Sequence, residues 1–171
     1  MDNPHRPLTL RCNRFLGREL VSRGLISAAD LNEANGKLLD YLEKGFIRTS
    51  LLHILITETQ KLDEAVWIDH LVKEEGLSLI NLNQIPVRHF ETRELDSEVC
   101  FATWSLPFDR IGNYTQVATN FYLSEPCRLY WKEAIEGPIL WYATTVHSMA
   151  EALGRLVETN DESADEGSES G

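Results

Sequence analysis

Arg14-Phe-Leu-Gly-Arg-Glu-Leu-Val-Ser-Arg-Gly-Leu-Ile-Ser-Ala-Ala-Asp-Leu-Asn-Glu-Ala-Asn-Gly-Lys-Leu38 reads as helix, glycine turn and capped helix. Leu16, Leu20 and Val21 recur at i, i+4 and i+5, which gives one apolar stripe at helical period. Gly24 stands in the C′ position, where a left-handed residue closes a helix. Ser27 then offers an N-cap with Asp30 three residues on, a loose capping box. Leu31, Ala34, Leu38, Leu39 and Leu42 fall on one face of the second helix, which Gly45 ends.

An offset of 36 lays a second apolar block over the first. Leu52 then matches Leu16, Ile56 matches Leu20, Leu62 matches Ile26, and Asp63 takes the cap position of Ser27. Leu71 fills the slot of Asn35, and Gly76 closes the helix. The glycines of the first copy are replaced: His53 stands for Gly17 and Gln60 for Gly24. Plain core packing explains the leucines of both copies. It does not explain Gly17, because glycine inside a helix costs ~1 kcal/mol against alanine.

The spacing of the first copy resembles the N-terminal domain of the ATPases that drive type II secretion and type IV pilus assembly, a bacterial domain (GspE N-terminal type) called MshEN in its nucleotide-binding form. Leu16-Gly17, Leu20-Val21, Gly24-Leu25-Ile26 and Leu31 lie at the family offsets. Phe15 stands where the family has Arg, with Arg14 one place early, and Leu38 and Glu74 stand where it has Gln. The resemblance implies a binding site for cyclic di-GMP. Carried over by position, it would comprise Arg14, Leu16, Gly17, Leu20, Gly24, Leu25, Ile26 and Leu31, with Leu52, Ile56, Leu62 and Leu71 from the second copy. In the family, glycine admits the nucleotide to the backbone, leucine supplies an apolar floor, and arginine answers a phosphate or stacks on guanine. Loss of both glutamines and of the second pair of glycines implies weaker binding in the second half. The family domain also couples its motor to an inner-membrane protein, so the competing expectation is a protein-docking module that has lost the nucleotide.

The remaining chain alternates shorter elements. Leu77–Leu82 reads as a strand, Asp96 or Ser97 as the cap of a short helix, and Trp104–Phe108 with Tyr114–Phe121 as a hairpin. Ser124 caps a helix with Pro126 in its first turn, Ile139–Thr144 is a strand, and Thr144 or Thr145 caps a last helix. The expected fold is α+β: a helical N-terminal half of two helix-turn-helix repeats, then a small α/β half with a three- to four-stranded sheet. The expected divisions are an arm at 1–13, where Pro4 and Pro7 oppose helix, a helical part at 14–83, an α/β part at 84–157, and a disordered acidic tail at 158–171.

Composition narrows the function further. The net charge is −11, of which residues 158–171 carry −6. That balance speaks against nonspecific nucleic-acid binding, although Arg6, Arg11, Arg14, Arg18 and Arg23 make the first turns basic. No apolar run reaches the ~20 residues of a membrane span, and the N-terminus lacks a signal-peptide core, so a cytoplasmic location is expected. Cys12, Cys100 and Cys127 form no metal or redox spacing. There is no phosphate-binding loop, no H-E-x-x-H and no G-x-S-x-G. A Cys100–His147 pair is the one nucleophile–base pairing to consider, and nothing local supports it. The expectation is therefore no enzyme, no cofactor and no metal, with cyclic di-GMP as candidate regulatory ligand and a protein of a secretion, pilus or envelope system as candidate partner. The aromatic run Tyr130, Trp131, Trp141 and Tyr142 suggests an interface or two filled faces of a sheet.

Overall fold

The structure, a computed structural model, describes residues 4–86, 90 and 96–169, with side chains described as far as Thr159. Helix α1 spans Arg6–Ser22 and α2 spans Ala28–Glu43. The start of α1 corrects the expected arm: residues 6–13 are helix. Pro7 is no obstacle there, because it sits in the first turn, where the missing N–H has no partner to lose.

The turn between α1 and α2 follows the reading of Gly24. Gly24 has φ +73°. Its N–H donates to the Val21 carbonyl, and the Leu25 N–H donates to the Leu20 carbonyl, the paired closure of a Schellman motif. Helix α2 ends the same way at Gly45, with Phe46 packing edge-to-face on Tyr41 at 6.2 Å. The Ser27 capping box is complete in both directions. Leu39, placed on the inner face by its spacing, is instead 48% exposed.

The second copy is less regular. Helix α3, Leu51–His53, widens into a π turn over Ile54–Glu58, and α4 spans Glu64–Lys73 behind an Asp63 cap. Gln60 holds φ +54° where the first copy has Gly24. The left-handed turn of the repeat thus outlives its glycine.

Strand β1 is only Ser78–Leu79; the rest of Leu77–Leu82 passes into a 3-10 turn at Leu82–Gln84. Helix α5, Ser97–Thr103, is capped by Asp96 and ends at Trp104 in the left-handed region. Strands β2, Ser105–Ile111, and β3, Tyr114–Thr119, form the hairpin. Helix α6, Glu125–Ala134, crosses to β4, Ile139–Ala143, which lies parallel to β3. The four-stranded sheet has the order β1-β4-β3-β2, so the fold is α+β with most helices N-terminal. Pro107 interrupts no inner ladder because β2 is an edge.

Helix α7 begins at Val146 behind the Thr145 hydroxyl and runs to Glu169, into the stretch expected as a tail. Glu and Ala are good helix formers, and the last apolar side chain packed on the core before the extension is Val157. Residues 170–171 and 1–3 lie outside the described residues.

The expected boundary at 83/84 is not a boundary of packing. One apolar cluster joins Leu16, Leu20 and Leu71 to Phe121, Trp131 and Leu153. Strand β1 pairs with β4 across that boundary, and α1 packs on both α5 and α6. The Ser124 hydroxyl shows the same joining. It accepts no cap bond from its own helix and donates instead to the Cys12 carbonyl in α1. Among the aromatics, Trp131 is fully buried and Tyr130, Trp141 and Tyr142 are half-buried, so both faces of the sheet take a share.

Two caps make stability acid-sensitive. The Ser27 backbone N–H and then its hydroxyl hold the Asp30 carboxyl below its ordinary 3.8. The Glu98 backbone N–H, and then His5, do the same for Asp96. A depressed carboxyl stabilises above its unfolded value and loses that stabilisation as pH falls through its folded value. Thermal unfolding should therefore show Tm falling below about pH 4. The slope should flatten in Asp30→Asn/Asp96→Asn, because asparagine still caps but does not titrate.

Candidate functional site

Of the family-pattern residues, seven are buried: Leu16, Gly17, Leu20, Ile26, Leu52, Leu62 and Leu71. Leu25, Leu31 and Ile56 are half-buried, and Arg14 and Gly24 face solvent. The leucines meet one another in the core between α1, α2 and α4 instead of forming an open floor. Gly17 has its reason within the fold. A Cβ there would lie 2.6 Å from Leu31 Cδ1 and 3.0 Å from Leu51 Cδ2. The glycine lets Leu31 of α2 and Leu51, the first leucine of the second copy, pack against α1.

The structure brings a different set together at the seam between the two copies. A cavity of about 600 Å³ is lined by Tyr41, Phe46, Arg48, His53 and Glu58, with Gly45, Ile47 and Thr49 completing its wall. Its volume is that of an ordinary small-molecule pocket. Each wall follows from the local fold. The Gly45 closure of α2 throws Phe46 outward, leaving its ring 60% exposed. Arg48 lies over the Phe101 ring at 4.9 Å, with the Glu98 carboxylate 4.0 Å away. The Ser50 cap starts α3 and sets His53 three residues on. His53 is the residue that replaces the glycine of the first copy, and its Nδ1 is buried with no partner among the described residues. The Tyr41 hydroxyl donates to the Glu58 carboxylate, which holds the phenol above its ordinary value.

This set has a definite chemistry. Phe46 offers a stacking face, Arg48 a planar cation, and Glu58 two acceptor oxygens. A flat base with paired N–H donors and an attached phosphate would use all three. Phe46 lies between the periodic blocks, Arg48 stands out of register with the family pattern, and Glu58 lies off the apolar positions of the second copy, so the spacing does not single them out. The available signal was Phe46-Ile-Arg48, an apolar–cationic run directly after a C′ glycine.

The Cys100–His147 pairing is absent. Cys100 is fully buried and burial pushes its thiol up to about 12, whereas His147 is exposed on α7 and pairs with Glu151 at 3.0 Å. The three cysteines are free and buried. No group of three or more metal-ligating side chains occurs among the described residues, and no described helix is long and apolar enough to cross a membrane.

No family model and no curated protein matches the sequence. Solved structures do. A structure of MshE with cdg, cyclic di-GMP, overlays with a TM-score of 0.51 and 17% identity, over 82% of this chain and 97% of that one. The N-terminal domain of XpsE overlays in one crystal form with a TM-score of 0.56 and 14% identity, over 84% of this chain and 94% of that one. A second crystal form gives 0.53 and 14%, over 81% and 91%. The chain therefore has the MshEN/GspE N-terminal fold over most of its length.

Proposed function

We propose that this chain is a non-catalytic regulatory domain that binds cyclic di-GMP, with one guanine taken in the seam cavity. The observation that carries the reading is the Phe46, Arg48 and Glu58 set on a fold shared with MshE, whose structure holds that nucleotide. Phe46 stacks on the base, Glu58 accepts from the N1–H and N2–H of its edge, and Arg48 answers the phosphate. Of the first-copy residues carried over from the family, Leu16, Gly17 and Leu31 then support the seam by packing, Gly24 closes α1, and Arg14 stays open to solvent.

A second reading rests on Gly17. Its space is filled by leucine side chains, and the family glutamines are missing, so the pattern can persist as scaffold for a docking module.

Calorimetric titration separates the two. Cyclic di-GMP should release heat, with cyclic di-AMP and GTP as controls. Phe46→Ala should weaken binding by about tenfold or more, the worth of one stacked base. Glu58→Gln should erode the preference for guanine over adenine. No heat from the folded protein would eliminate the nucleotide reading and leave docking.

A further inference from the structure

A second groove lies in the α/β half, between α6 and β4. It encloses about 380 Å³ and is floored by Tyr122, Leu129, Ile139 and Trp141, with Arg128 and Lys132 on its α6 wall. Tyr122 and Trp141 meet edge-to-face at 6.1 Å, and the Arg128 guanidinium lies over the Tyr122 ring at 5.3 Å. Leu129 is 47% exposed, an apolar side chain with nothing over it.

The polar groups are unbalanced. Arg128 Nε is buried and has no hydrogen-bond partner among the described residues. Neither Arg128 nor Lys132 makes an ion pair among the described residues, although Glu125 borders the same groove. A buried guanidinium donor without an acceptor is a costly arrangement in a finished interior. Arg128 and Lys132 are four residues apart on one helix, so their charges fall on one side and repel mildly until an anion lies between them. The site asks for a carboxylate next to an apolar side chain.

The groove does not close at Arg128. Tyr122, Glu125 and Arg128 also line an adjoining polar cleft that reaches Glu19, Arg23 and Glu75. A compact acid would leave that cleft unused. An extended chain would run through it.

The geometry points to the C-terminal residue of a partner peptide as the occupant. Its free carboxylate lies against Arg128 and Lys132, its last apolar side chain rests on Leu129 and Trp141, and its upstream backbone follows the cleft. This site is independent of the nucleotide reading.

The test is a heteronuclear NMR titration of the full chain. The probes are an acetylated hexapeptide ending in leucine–phenylalanine, the same peptide as its C-terminal amide, and N-acetyl-phenylalanine. The acid peptide should shift amides in 122–141 with Kd on the order of 1 mM or tighter. The amide and N-acetyl-phenylalanine should each bind about tenfold more weakly or worse. Leu129→Glu, at an exposed position, supplies an internal carboxylate and should abolish binding with an unchanged spectrum elsewhere. Lys132→Gln should weaken it. Equal binding of acid and amide, or N-acetyl-phenylalanine binding as well as the peptide, overturns the assignment. So does an absence of shifts, or shifts confined to residues outside both 122–141 and the cleft at Glu19, Arg23 and Glu75.

Discussion

Trp131→Ala is expected to cost about 3–5 kcal/mol in urea unfolding, the range for emptying a buried indole. The ring is fully buried on α6, and its Nε1–H donates to Thr103 Oγ1 at 3.0 Å. The Thr103 hydroxyl donates in turn to the Val99 carbonyl at 2.8 Å. The indole therefore contributes both volume and one hydrogen bond, and it ties α6 to α5. Trp131→Phe separates the two parts: most of the volume stays, the donor goes, and the cost should fall to about 1–2 kcal/mol. Trp67 is the control. It is equally buried, but its Nε1–H has no partner among the described residues. Trp67→Phe removes an unsatisfied donor and should be milder than Trp131→Phe. Equal costs for the two replacements would mean that the Thr103 bond contributes nothing.

The contrast between the two tryptophans marks what a sequence can and cannot reveal. Local signals were legible. Gly24 at C′, the Ser27–Asp30 box and Asp63 before α4 act where their spacing put them, and the caps of α5 and α7 fall on one of the two candidates offered for each, Asp96 and Thr145. Such caps are local hydrogen-bond geometry, so a few residues suffice to specify them. Choices settled by tertiary contacts were not legible. Ser124 is spaced as a cap but gives its hydroxyl to Cys12, more than a hundred residues away in sequence. Leu77–Leu82 alternates like a long strand, yet its ladder with β4 covers only Ser78–Leu79, with one further bond from the Ile80 N–H to the Ala143 carbonyl. Pro7 reads as a breaker until its place in the first turn is known.

The site divides the same way. Leucines at helical spacing look alike whether they floor a ligand site or fill a core, and here Leu16, Leu20, Leu52 and Leu71 fill the core. The seam cavity is made by residues that share no period. Phe46 and Arg48 follow a helix end, His53 starts the next helix, and Glu58 ends a π turn. Only the docking of the two repeats makes neighbours of them.

That docking depends on one buried polar side chain. Asn13 is 2% exposed within α1. Its Nδ2 donates to the Thr9 carbonyl at 2.8 Å, and its Oδ1 accepts from the Leu51 N–H at 2.9 Å. The second bond satisfies the first N–H of α3, which no intrahelical carbonyl can reach. Ser50 takes the His53 N–H, so the two side chains together start the helix that presents His53 to the cavity. Asn13→Leu keeps the volume and strands the Leu51 N–H in the core. The expected loss is about 1–3 kcal/mol, the cost of a buried unsatisfied donor. Thr9 loses little, because its carbonyl remains within α1. Hydrogen exchange at Leu51 should accelerate beyond what the global loss explains, and exchange within β2 and β3 should follow the global change alone. Because the same bond sets the start of α3, cyclic di-GMP affinity should fall with it, although Asn13 does not line the cavity. Unchanged Leu51 protection in a folded Asn13→Leu protein would show that α3 finds another partner. The seam would then be held by apolar packing around Gly17 and Leu51.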